Sequence, residues 1–303
     1  MVYALLISDP FSRAASSVSI AFASLPTTWQ YAFAIVFGLV IGSFLNVVAH
    51  RLPVMLERAW RLEMTEAAGE PPKDDGLPAR YNVCVPGSAC THCGHVLRAW
   101  ENIPLLSYLW LRGRCSACHA PISIRYPLIE LASGLLAALA LANFGASGTA
   151  LAAFGLCATL LAMSAIDIQT RLLPDSLTLP LLWAGLIVNF ADTFVSLRSA
   201  VAGAIVGYVF LWCVYWLFRL ARGVEGMGYG DFKLLAALGA WLGWAALPQI
   251  VLIAAVTGAV IGLTATWLGR MRFEEALPFG PFLAAGGAAT LFFGMPFFHL
   301  FGG

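Results

Sequence analysis

Charge is what this sequence has least of. Only 11% of its 303 residues are Asp, Glu, Lys or Arg and 60% are hydrophobic, where an ordinary soluble domain is roughly 25% charged. Water is therefore not the main solvent of the folded chain. A formal net charge of +1 removes the electrostatic reason to expect a nucleic-acid partner. The start of the chain lacks the basic region of a cleavable signal peptide: Asp9 and Pro10 come early, and Arg13 follows them. The sequence also lacks internal repeats, low-complexity tracts and any strand–GxGxxG–helix unit of the dinucleotide-binding type.

Apolar length is abundant. A spanning helix takes about 20 mostly apolar residues. Runs of this kind occur near 29–49, 128–143, 148–166, 175–191, 199–219, 231–246, 248–268 and 279–300. They predict an all-α polytopic membrane protein with about eight transmembrane helices, the second and sixth marginal in length. Basic residues set the orientation. With the segment between helices 1 and 2 in the cytoplasm, 15 of the 17 basic residues lie inside, including Lys73, Arg171, Lys233, Arg270 and Arg272, and only Arg13 and Arg198 lie outside. The expected organisation is an extramembrane tail over 1–28, a first spanning helix over 29–49, a cytoplasmic insert over 50–127 and a membrane core over 128–303. The insert is proline-rich and has only short apolar runs. Within it, residues 54–79 read as a helix-to-loop excursion. There Glu57, Glu63, Glu66, Glu70, Asp74 and Asp75 outnumber Arg58, Arg61 and Lys73.

Four of the seven cysteines form two pairs, Cys90-x-x-Cys93 and Cys115-x-x-Cys118, 21 residues apart. Such pairs can direct four thiolates at one tetrahedral zinc, giving a ribbon-like site. Gly94 and Gly113 suit the tight turns. Two disulfides or free thiols are the other readings, and a reducing cytoplasm argues against disulfides. A closed four-thiolate site is structural, with no open position for catalysis. His92, His95 and His119 are substitute ligands. Cys84, Cys157 and Cys213 read as packing residues.

Ionisable groups in spanning segments are costly and usually functional. Asp192 falls in an outside loop. Asp175 follows Pro174 and reads as an N-cap. Glu130, in the first turn of helix 2, suits the helix dipole. Asp167 and Asp231 are harder to explain structurally. Asp167 ends helix 3 after an apolar run; Asp231 opens helix 6 within Gly228-Tyr229-Gly230-Asp231. Helix 3 runs inward and helix 6 outward, so both carboxylates belong at the cytoplasmic border. A two-carboxylate site needs that depth match: one ionised Asp activates water while a protonated partner polarises a carbonyl, the pair sharing one proton. Gly226, Gly228 and Gly230 would let an extended substrate backbone approach. A helix N-cap at Asp231 with glycine loop punctuation is the competing reading.

Several blocks in order along the chain resemble the bacterial type IV prepilin peptidases, of the bifunctional leader peptidase and N-methyltransferase kind. They are GSFLNVVAHRLP (42–53), the paired cysteines with ENIPLLSYLWLRGRC between them, RYPLIE (125–130), IDIQTRLLPDSLTLPLL (166–182) and EGMGYGDFKLLAALGAW (225–241). The resemblance implies that Asp167 and Asp231 are the catalytic pair, with Asp175 supporting. It implies a zinc tied to methylation on Cys90, Cys93, Cys115 and Cys118. It further implies prepilin or type II secretion pseudopilin substrates, cut after a Gly and then methylated from S-adenosylmethionine, and a place in the bacterial inner membrane. Asn46, His50 and Arg51 are polar groups at the inner end of helix 1, equally readable as packing and anchoring residues. An intramembrane protease for another substrate and a proton-coupled transporter are the alternatives. The cysteine insert argues against the first. The edge position of the carboxylates and the lack of inverted repeats argue against the second.

Overall fold

A computed structural model of the protein describes residues 21–69, 71, 74–78, 80–223, 227–269 and 277–294. Most of the expected tail, Glu70, Lys73, Gly226, Arg270, Arg272 and the far end of the last expected helix lie outside the described residues.

Among the described residues the chain is helical, and strand pairing is reduced to two isolated bridges. The helices are α1 (Thr27–Ala67), a short α2 (Leu106–Trp110), α3 (Arg125–Phe144), α4 (Gly148–Thr170), α5 (Asp175–Val188), α6 (Leu197–Arg222), α7 (Tyr229–Leu242), α8 (Leu247–Trp267) and α9 (Gly280–Phe293). Each of the eight apolar runs overlaps one of the longer helices. Five, α1, α3, α4, α6 and α8, are long and apolar enough to cross a membrane. The other three, α5, α7 and α9, have 14 residues each. At about 1.5 Å per residue they fall short of a hydrocarbon layer about 30 Å thick. The protein is multi-pass, and its surface agrees. Trp29, Phe33, Val36, Val40 and Phe44 lie exposed along α1 at helical spacing, a stripe suited to lipid.

Two boundaries differ from expectation for local reasons. α1 continues past residue 49 to Ala67 with Pro53 buried inside it, because Met, Leu, Glu, Arg and Ala are good helix formers even where the apolar run has ended. α7 stops at Leu242, where Gly243 takes φ 79° and turns the chain into the 3₁₀ segment Trp244–Ala246.

The core is built around α7, which is apolar on all sides, as a fully enclosed helix must be. Phe232, Leu234, Leu235 and Leu238 are fully buried against Leu156 and Met163 of α4, Ile250 of α8 and Leu283 of α9. In lipid, apolar burial does not drive helices together, so close backbone packing matters more. α6 and α7 touch through Gly203 and Gly239, where a Cβ on either would collide with the other's backbone. α1 meets α3 similarly: a Cβ on Gly38 would lie 2.7 Å from the Gly134 Cα, and one on Gly42 2.7 Å from the Glu130 Cα. Asn189 pins the far end of α7. Its Nδ2 donates to the carbonyls of Ala240 and Trp241, both at 2.9 Å, while its Oδ1 accepts from the Phe194 and Val195 amides. The near end of α7 lies with the end of α4 and the start of α9.

Candidate active site and cysteine cluster

Asp167 occupies the last turn of α4, which Arg171 closes in the left-handed region, its amide bonding the Asp167 carbonyl at 2.8 Å. A carboxylate is disfavoured there by the helix dipole. The start of α9 offsets this. Gly280, its first residue, donates its N–H to the Asp167 Oδ2 at 3.0 Å, and such donors at a helix start have no partner inside the helix. Only glycine fits: a Cβ at 280 would lie 2.6 Å from that same oxygen.

Asp231 is the third residue of α7, and its amide donates to the Gly228 carbonyl at 3.2 Å. Both aspartates are buried, 4% and 7% exposed, and stand within Coulombic reach of each other. Leu173, in the link between α4 and α5, is the wedge among these parts. A Cβ on Gly280 would lie 3.2 Å from the Leu173 Cδ2, and one on Gly230 2.6 Å from the Leu173 Cβ. The end of α4, the start of α7 and the start of α9 thus come together around Leu173, with both carboxylates in that neighbourhood.

The supporting residues fall differently. Asp175 does not act as an N-cap: that position belongs to Pro174, and no side chain caps α5. Asp175 is the first helical residue, and its carboxylate holds the Lys233 Nζ at 2.6 and 2.7 Å, tying α5 to α7 two residues after Asp231. Gly230 is approached by Leu173 of the same chain, whereas a Cβ on Gly228 would meet, among the described residues, only the Asp231 Oδ2 at 3.9 Å and the Gly230 amide nitrogen at 4.0 Å. Glu130 is the sixth residue of α3, past the first turn, and is buried. Its Oε2 accepts the Leu105 amide at 2.8 Å, which fastens the insert to the membrane helix. Asn46 donates to the Tyr126 carbonyl at 3.1 Å. The Arg51 guanidinium donates to the carbonyls of Asn82, Pro86 and Gly87 at 3.0, 2.6 and 3.1 Å, stapling the insert onto α1. Gly280, Leu173 and Lys233 were not singled out from the sequence. The signals for two of them are visible in retrospect: Gly280-Pro281 opening an apolar run, and the single cation of α7, two residues after Asp231 in a largely apolar helix.

The paired cysteines sit on two turns of the same design. Each is closed by an isolated bridge, Ala89 with Val96 and Arg114 with Pro121. Each has a left-handed residue after its second cysteine, Gly94 (φ 72°) and His119 (φ 57°). The amides of Gly94 and His119 donate to the carbonyls of Cys90 and Cys115, both at 3.0 Å. The four sulfurs lie within 4.8 Å of one another, with Cys90–Cys118 at 3.8 Å and Cys93–Cys115 at 4.0 Å. Four ligands about 2.3 Å from a tetrahedral ion stand about 3.8 Å apart, so the cluster fits a metal ion. Backbone amides of Cys93 and His92 pull the Cys90 thiol down to about 7, favouring the thiolate that ligates. His95 is committed elsewhere, 3.2 Å from Glu101. The Ser116 hydroxyl and the Arg98 amide hold the Glu101 carboxyl down to about 2.

Fold and site together define a multi-pass helical membrane protein with two buried carboxylates within Coulombic reach of each other and, in its insert, a four-thiol cluster. Residues 36–144 match the bacterial peptidase A24 N-terminal domain, and residues 154–263 match the type IV leader peptidase family. The chain is 73% identical over 298 residues to a Burkholderia pseudomallei (strain K96243) protein named prepilin leader peptidase/N-methyltransferase, covering 98% of this chain and 96% of that one. Proteins of the same name from Stutzerimonas stutzeri and Pseudomonas aeruginosa are 54% and 52% identical, each over 86% of this chain and covering 90% and 89% of those proteins. No solved structure matches. The chain belongs to the type IV leader peptidase family.

Proposed function

We propose that the protein is an aspartic endopeptidase of the bacterial inner membrane that removes the leader from type IV prepilins or type II secretion pseudopilins, then methylates the new N-terminus. The observation that carries the reading is the convergence of buried Asp167 and Asp231 within Coulombic reach of each other. Two such carboxylates share a proton. The ionised one takes a proton from water as that water attacks the carbonyl carbon of the leader's last Gly. The protonated one hydrogen-bonds the carbonyl oxygen, and a proton then passes to the leaving amine. The Gly280 amide holds the Asp167 carboxylate in place, and exposed Gly228, with no side chain beside Asp231, supports the approach of a substrate backbone. The names of the relatives support this substrate and the second activity.

The basic-residue distribution supports a cytoplasmic position for the site and the insert. A basic leader arriving there meets exposed Glu57, Glu63 and Glu66 on the projecting part of α1, an attraction that reaches about 8 Å at physiological salt. Asp75 takes little part in it, being paired with Arg58 at 3.0 Å. Cys90, Cys93, Cys115 and Cys118 would hold a structural zinc, which stiffens the insert, and the methyl donor is S-adenosylmethionine. Mass spectrometry of a prepilin's N-terminus, from cells with and without this protein, tests both activities. Loss of the leader and a 14 Da gain, about one methylene, are expected; a leader that stays intact in the presence of the protein overturns the reading.

A further inference from the structure

The insert carries an apolar face that neither the aspartates nor the thiols use. Between the two cysteine turns, Trp100, Ile103, Leu106, Ser107, Leu109 and Trp110 line an open cleft of about 460 Å³. All its large side chains are exposed, Leu109 by 70% and Trp110 by 80%. The exposure is one-sided. Leu106, Leu109 and Trp110 share a face of α2 at i, i+3 and i+4, while Tyr108 turns back, its ring 3.0 Å from where a Cβ on Gly113 would stand. A chain segment in water does not keep such a face uncovered without a use.

Three observations identify what covers it. The segment is fastened to a helix long and apolar enough to span a membrane, because the Leu105 amide is bonded to Glu130 of α3. The start of that helix exposes apolar side chains as well, Leu128 and Leu131, with Ile124 just before it. Exposed Arg98, Arg112 and Arg114 flank it, matching anionic headgroups, while the acid within the segment, Glu101, is buried and paired. Trp100 and Trp110, with ring centroids 6.4 Å apart, are the residue type that settles at membrane–water boundaries.

We propose that residues 99–111 lie in the headgroup layer of the bilayer as an interfacial anchor, which holds the cysteine insert down against the membrane. An amphipathic segment with a Trp-rich apolar face and basic flanks binds such a surface by both apolar burial and charge. The inference rests on the multi-pass fold and is independent of the catalytic reading.

Photocross-linking of the full-length protein in phosphatidylcholine vesicles, with and without phosphatidylglycerol, tests it. The photoreactive residue p-benzoylphenylalanine is placed at position 110 and, as a control, at position 64. Met64 is also exposed but lies 14 residues beyond His50 on α1, about 21 Å further along the helix. Phospholipid adducts at 110, stronger with phosphatidylglycerol, and none above background at 64 are expected. Retained metal shows that the insert is intact, and both side chains are exposed enough to be replaced without unfolding it. Absence of a lipid adduct at 110, or equal adducts at both positions, overturns the proposal. So does capture at 110 of an added prepilin peptide in place of lipid, which would make this face a substrate-docking surface.

Discussion

The Gly280 amide donates to the Asp167 carboxylate at 3.0 Å across 113 residues of sequence. That contact brings the start of α9 against the end of α4, and it tolerates no side chain at 280. Gly280→Ala puts a methyl 2.6 Å from the Asp167 Oδ2, so the carboxylate must move. Displacements of about 1 Å at a reacting centre cost about a hundredfold in rate. Leader cleavage in vesicles is expected to fall by about that factor, with protein level and bound metal unchanged. Normal turnover would show that the contact is not part of the site.

The Asp175–Lys233 pair predicts a smaller effect. The Asp175 side chain is 56% exposed, and exposed pairs contribute about 1 kcal/mol or less. Asp175→Asn and Lys233→Met should therefore each slow cleavage only a few-fold. Exchanging the two, Asp175→Lys with Lys233→Asp, should recover part of the loss. Kinetics that are no better for the exchanged pair than for the worse single variant would contradict a positioning role.

Metal content tests the cysteine cluster. Cys90→Ser with Cys93→Ser removes two of four sulfurs that lie within 4.8 Å of one another. Elemental analysis should show one zinc per wild-type chain and none in the variant. Methylation should be lost before cleavage. Unchanged zinc would mean that the ligands are elsewhere.

Helix packing gives a stability prediction with its own control. Gly203→Val drives a side chain into the backbone at Gly239, whereas a Cβ at Gly155 of α4 meets nothing within 4 Å. Overpacking costs about 1–3 kcal/mol. Thermal unfolding in detergent should show Gly203→Val destabilised on that scale and Gly155→Ala close to wild type.

What could be read in the sequence follows a physical pattern. Apolar runs are local, so all eight apolar helices were legible, though not that three of them are too short to cross a membrane; the paired cysteines were legible too, since their spacing is itself the geometry of a turn. Asp167 and Asp231 could be matched in depth because helices that alternate direction return to the same side. Contacts between distant segments were not legible. Nothing near Gly280 announces Asp167, and nothing near Glu130 announces the Leu105 amide. Asp175 looked like a cap because Pro174 precedes it, yet its partner, Lys233, lies 58 residues away. α1 outran its apolar stretch because helix propensity persists where hydrophobicity does not.

The account's central claim is that Asp167 and Asp231 act as one catalytic unit, and a mutant cycle tests it most directly. Residues that act as a unit are strongly non-additive. Asp167→Asn, Asp231→Asn and the double variant are compared for cleavage of a Gly–Phe prepilin substrate in vesicles. Asn keeps the side-chain shape and carries no charge, so membrane insertion should survive in all three. Each single variant should abolish cleavage, and the double should be no worse than either. Near-normal turnover by either single variant, or losses that simply add, would contradict the claim.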